Sequence, residues 1–220
     1  MSKTMGCIGF ALAVSMGASS SVMAENKLFK DIAYDSPMSF YSETKGYYDC
    51  SEDVGAIAVC KDDVDFIGHK FTMALVFSGD KLTTVSLVSD YEQALYDAAM
   101  AALNKSFTLS MMSDGKSQLD LVELARQTRS RDEFLTQFTR YAELGTTAGD
   151  FTYTFLEGAD TATKYASVTM MLLGSPDNTR SAELVLTGEG ADSTLVIRFS
   201  FPKLELNKAH AAAQKPVESF

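Results

Sequence analysis

The sequence predicts an α+β fold, with an antiparallel sheet of about eight strands packed against two main helices at about residues 90–105 and 131–144. Three observations carry this reading. Apolar residues alternate with period two before residue 90 and again after residue 150; between those stretches they recur at three- and four-residue spacing; and the late strands are separated by turn-rich residues, notably Ser175-Pro176-Asp177-Asn178 and Glu189-Gly190-Ala191-Asp192.

The chain opens on "MSKTMGCIGFALAVSMGASSSVMA", residues 1–24. One basic residue (Lys3), an apolar run from Met5 to Met16 and a small-residue end at Val22-Met23-Ala24 form the tripartite pattern of a secretory signal peptide. The apolar run falls short of the roughly 20 residues needed to span a bilayer. Cleavage after Ala24 leaves Glu25 to Phe220, and Cys7 departs with the leader. The domain is expected over 25–204, followed by a flexible C-terminal tail over 205–220, which is short of large apolar residues.

Two cysteines then remain, in an oxidising compartment. In "YYDCSEDVGAIAVCKDDVDF" a turn at Asp53-Val54-Gly55-Ala56 pairs Glu52 with Ala58 and sets Cys50 opposite Cys60. Opposed strand residues have Cα atoms about 4.5–5.5 Å apart, within reach of a disulfide. A redox-active pair instead favours Cys-x-x-Cys at a helix start, which does not occur here.

The elements follow in order. Phe71, Met73, Leu75 and Phe77 alternate along a strand, Gly79-Asp80 turns the chain, and Leu82 to Val88 return beside it. Thr72, Ala74 and Val76 on the other side are only weakly polar, so both faces are expected to be partly covered. Ser89-x-x-Glu92 reads as a capping box opening a helix with Tyr91, Ala94, Leu95, Ala98 and Ala102 on one face. A short strand follows at Phe107 to Met112, with a turn at Asp114-Gly115. Leu119 to Gln127 is mixed and fixes no element. A second capping box, Ser130-x-x-Glu133, starts a helix carrying Phe134, Leu135, Phe138, Tyr141 and Ala142 at helical spacing, ended by Gly145. That stripe is read as a packing face, not a cofactor box. From Asp150 a meander is expected from "DFTYTFLEG", "KYASVTMMLLG", "RSAELVLTG" and "STLVIRFSF". No repeat period occurs, only a loose strand–helix–strand symmetry about the middle.

Composition narrows the function classes. The chain has 19 basic and 29 acidic residues. Removing residues 1–24 takes away only Lys3, leaving 18 against 29, or −11. That balance disfavours nucleic acid and anionic membrane surfaces, which attract basic patches, and fits a basic exported protein or a neutral ligand. No later hydrophobic run is long enough for a membrane span. Fourteen Phe, nine Tyr and eleven Met supply bulky core volume without any Trp.

Catalytic signatures are sparse. With two histidines, and His210 in the expected tail, His69 is the one plausible general base, for a hydrolase. No Gly-x-Ser-x-Gly elbow occurs beyond the leader, and no zinc-type His/Cys spacing; Gly188 and Gly190 resemble a phosphate loop but precede a strand. No cofactor is expected. Asp62, Asp63 and Asp65 raise a weak calcium possibility, without the D-x-[DN]-x-[DN]-G ladder of a calcium loop. The preferred expectation is a periplasmic or secreted, non-catalytic accessory or inhibitor-like domain. It would meet a basic partner through acidic turns at Asp62, Asp63 and Asp65 and at Glu189 and Asp192. The alternative is a carrier of a lipophilic small molecule, with strands 165–173 and 195–201 lining the cavity.

Overall fold

The computed structural model describes residues 26–146, 149–160, 163–188 and 193–214. A two-stranded ribbon, β1 (Lys27–Phe29) and β2 (Ile32–Ala33), precedes a sheet of nine strands. These are β3 (Tyr48–Asp49), β4 (Ala58–Phe66), β5 (His69–Ser78), β6 (Lys81–Asp90), β7 (Phe107–Ser113), β8 (Gln118–Asp120), β9 (Phe151–Glu157), β10 (Ser181–Thr187) and β11 (Thr194–Ser200). The order β3-β4-β5-β6-β11-β10-β9-β7-β8 is antiparallel throughout. Among the described residues six α-helices accompany it: α1 (Ser51–Val54), α2 (Gln93–Leu103), α3 (Leu121–Gln127), α4 (Arg131–Thr146), α5 (Val168–Gly174) and α6 (Pro202–Ala213), with two short 3-10 turns at Met38–Phe40 and Glu43–Lys45. The α+β class is as the sequence predicts, with nine strands and a ribbon where about eight strands were expected.

The meanders β4-β5-β6 and β9-β10-β11 meet through β6 and β11 at the centre, and each is followed by a helix. One face of the sheet holds the core. Phe71, Met73 and Leu75 of β5, Leu82 and Leu87 of β6, and Leu195, Ile197 and Phe199 of β11 are buried together. Leu95, Ala99 and Leu103, four residues apart on α2, close over them with Leu28 and Phe29 of the ribbon. The residues between them in sequence face the other way. There Cys50, Ala58, Cys60 and Ala74 make a second, smaller cluster.

Several expectations are corrected. Cys50 and Cys60 are bonded, with Cα atoms 5.8 Å apart, but not across a symmetric hairpin. Asp49 accepts hydrogen bonds from the Ser51 amide and hydroxyl, which starts the helical turn α1; Gly55 closes it at φ 71, and Tyr48, not Cys50, pairs with Cys60. Ser89 does not cap α2. It pairs with Leu195 and Asp90 with Thr194, so β6 runs on and α2 begins at Gln93 without a side-chain cap. The segment expected as a strand over 164–174 contains α5 instead. Ser167 accepts from the Met170 amide, and the following run of Met and Leu lacks the β-branched residues a strand favours.

Gly145 lies inside the last turn of α4 rather than ending it, pressed against the Phe151 ring. The expected tail is α6 as far as Ala213. Pro202 starts it, Leu204 packs on the core, and Lys208 reaches Asp35 at 2.9 Å. Residues 215–220 of that tail and the leader, 1–24, lie outside the described residues.

Candidate functional site

The acidic residues of β4 are placed by a bulge. Between Lys61 and Val64 the strand advances three residues while β5 advances two, which turns Asp62 and Asp63 out of the regular ladder. Asp63 has φ 58, a left-handed conformation that Asp tolerates better than most residues. Asp62 accepts from the Tyr48 hydroxyl at 2.9 Å and the Thr72 hydroxyl at 2.8 Å. That bond holds the Tyr48 phenol above its ordinary pKa. Asp65 pairs with Lys70 at 2.8 Å and is the neutralised member of the group. Asp62 and Asp63 open onto a shallow groove with Asp90, Lys70 and Thr194, at the end of the sheet where β6 finishes and β11 begins. Glu189 and Asp192 lie outside the described residues.

No group of three or more His, Cys, Asp or Glu side chains among the described residues is arranged to hold a metal, Asp62, Asp63 and Asp65 included. His69 stands at the start of β5 opposite Phe66. Among the described residues no side chain is hydrogen-bonded to it, so no base–carboxylate or base–nucleophile pair is assembled there. The inner face of residues 195–201, expected to line a carrier cavity, is filled: Leu195 and Ile197 have no exposure, and Phe199 and Phe201 are buried beside them.

A cleft of about 530 Å³ opens elsewhere, between β7, α3, α4 and the segment Thr163–Tyr165. Its construction starts from Asp120. One carboxylate oxygen accepts from the Val122 and Glu123 amides and caps α3; the other accepts from the Val168 amide at 2.8 Å and fixes the start of α5. A second bulge, at Ser110 between Leu109 and Met111, turns β7 toward the cleft. Tyr165 lies against Gly174, where an added Cβ would sit 2.8 Å from the ring. Leu109, Leu121, Phe134 and Met171 supply the apolar lining. The sequence signal for this region was the Asp120 cap before "LVELARQ" and the Ser167 cap before "VTMMLLG", both local and both compatible with other readings.

Arg180 is a half-buried charge that sequence reasoning missed. Its guanidinium forks onto Glu157 at 3.0 and 2.7 Å, donates to the Leu28 carbonyl at 2.8 Å, and lies over the Phe107 and Phe199 rings. It ties the ribbon to the sheet and is structural. Among the described residues no helix is long and apolar enough to cross a membrane. The chain matches no family model, no curated protein and no solved structure.

Proposed function

We propose that the chain is an exported, non-catalytic docking protein that meets a basic exported partner at the acidic end of its sheet. The observation that carries this reading is the groove beside β4. It gathers the carboxylates of Asp62, Asp63 and Asp90 against the single ammonium of Lys70, which Asp65 already engages. Residues 1–24 and the Cys50–Cys60 disulfide support export to an oxidising compartment, with the periplasm first, since such bonds are rare in reducing cytosol. A mature charge of −11 adds long-range attraction for a cationic surface.

The test is chemical crosslinking in the exporting cell, comparing the wild type with the triple variant Asp62→Asn, Asp63→Asn, Asp90→Asn, followed by association rates for the captured partner. A basic partner lost in the variant, with an on-rate that falls as salt rises from 0.05 to 0.3 M, supports the reading. Capture that ignores both the variant and the salt refutes it.

A further inference from the structure

We propose that the cleft between β7, α3, α4 and Thr163–Tyr165 binds a single-chain anionic amphiphile, its tail against the apolar lining and its headgroup at Arg126 and Lys164. The cleft is separate from the acidic groove and uses none of its residues.

The case rests on charge placed against the trend of the molecule. In a chain with ten more acidic than basic residues, the cleft is edged by two cations, and a notch sharing Ala125, Thr128 and Phe134 with it adds Arg129 and Arg131. Six cations elsewhere, Lys27, Lys70, Arg180, Arg198, Lys203 and Lys208, pair with carboxylates, while others, such as Lys30, Lys45 and Lys61, reach backbone carbonyls; what distinguishes the cleft is four cations gathered at one apolar opening. Among the described residues none of the four at the cleft has a carboxylate partner. Unpaired guanidinium and ammonium groups at the mouth of an apolar cleft complement an anion carried on an apolar chain. The volume falls within the roughly 300–1,000 Å³ of small-molecule sites.

Hydroxyls complete the polar side. Thr108 and Tyr165 line the cleft beside the cations and can donate to an oxyanion or its bridging water, while the Thr128 hydroxyl donates to the Leu124 carbonyl at 2.9 Å. Ser110, 1% exposed, donates to the Thr108 carbonyl at 2.8 Å and shapes the wall. A neutral lipophile leaves the cations without a counterion, and a cationic amphiphile meets like charge, so the headgroup sign is the discriminating property.

Isothermal titration below micelle concentrations tests this with dodecanoate, dodecyl phosphate, dodecanol and dodecyltrimethylammonium. Both anions are expected to bind at least tenfold more tightly than dodecanol, and the cation not at all; whichever anion binds more tightly identifies carboxylate or phosphate as the preferred headgroup. Shortening the chain by two methylenes should weaken binding about tenfold. Arg126→Gln with Lys164→Gln, both exposed, should bring the anions down to the affinity of dodecanol. Ala125→Phe, filling the cleft from an exposed position, should abolish binding of every probe while leaving salt-sensitive docking unchanged. Equal binding of alcohol and anion, or anion binding that survives the double variant, overturns the headgroup assignment. Binding that survives Ala125→Phe, or no binding of any probe, overturns the site.

Discussion

Replacing Arg180 should loosen the N-terminal ribbon from the sheet and remove about 3 kcal/mol of stability. Its side chain is 20% exposed and that of Glu157 39%, so the ion pair is partly solvated and contributes about 1 kcal/mol despite its bidentate geometry. The Leu28 carbonyl, on a residue with no exposure, loses its charged donor at 2.8 Å, which costs about 1–2 kcal/mol. Lost contact with the Phe107 and Phe199 rings adds about 0.5–1 kcal/mol. For a chain of this size, 3 kcal/mol is a fall in Tm of about 6–12 °C. Arg180→Lys keeps the charge but loses the planar fork, and more than half of the loss should remain. Urea unfolding followed by far-UV circular dichroism suits a chain without Trp, and hydrogen exchange over 27–34 reports whether the ribbon detaches first. If Arg180→Ala stays within 1 kcal/mol of wild type, or if Arg180→Lys matches wild type, the guanidinium does not hold the ribbon and the reasoning fails.

Four further outcomes are expected. Removing the disulfide by Cys50→Ala with Cys60→Ala closes no loop in the unfolded chain; for a separation of 10 residues the chain-entropy model gives a loss of about 2.7 kcal/mol, readable as a lower urea midpoint. Gly145→Ala raises helix propensity by up to about 1 kcal/mol, yet its Cβ lands on the edge of the buried Phe151 ring; a net loss of about 1–2 kcal/mol is expected, and a higher Tm would show that Phe151 yields. Asp120→Ala uncaps α3 and releases the start of α5 for about 2 kcal/mol; Asp120→Asn keeps one acceptor oxygen for the α3 cap but sets a donor against the Val168 amide, so part of the loss should remain, and an Asn variant as stable as wild type would show that the Val168 contact contributes nothing. Burial raises the Tyr34 phenol to about 12, with Glu205 contributing, and burial lifts Tyr153 further. Above pH 10 the unfolded chain releases these protons while the folded chain keeps them. Their stabilisation is therefore complete below pH 10 and declines as pH rises through the folded values, by up to about 1.4 kcal/mol per pH unit for each. Tyr153→Phe should flatten that alkaline limb, and an unchanged limb would contradict the assignment.

What the sequence revealed tracks how local each determinant is. The alternation in β5, β6 and β11 and the aromatic stripe of α4 are written in consecutive residues, and the ladder and packing follow them. The disulfide was legible from spacing and compartment, although the turn between its cysteines was not. Ser89-x-x-Glu92 is a valid local helix signal that loses to pairing with Leu195, more than a hundred residues away. The four consecutive apolar residues of α5 have no period that separates strand from helix; their Met and Leu composition leans to helix, and Asp120, 48 residues earlier, helps decide. Arg180 has no local mark at all, because its partners lie 23 and 152 residues from it. Arg126, Arg129 and Arg131 are neighbours in the sequence but carry no motif there, and only the fold brings Lys164 and an apolar lining beside Arg126.

The antiparallel register also separates the two charged sites. Thr72, Val88, Val196, Val185 and Thr152 form one row across the sheet at the acidic end. Val76, Thr84, Ser200, Ser181, Leu156 and Thr108 form another, four residues farther along β5, at the level of the cleft. Four residues of strand span about 13 Å, and the five strand spacings from β5 to β7 about 24 Å, so the sites stand about 27 Å apart. That is several Debye lengths at physiological ionic strength, where screening acts over about 8 Å. A carboxylate groove and a guanidinium cleft on one acidic chain therefore neither neutralise each other nor compete. On the two proposals, a cationic partner at one site and an anionic amphiphile at the other would bind independently, and Asp62→Asn with Asp63→Asn should leave amphiphile affinity unchanged.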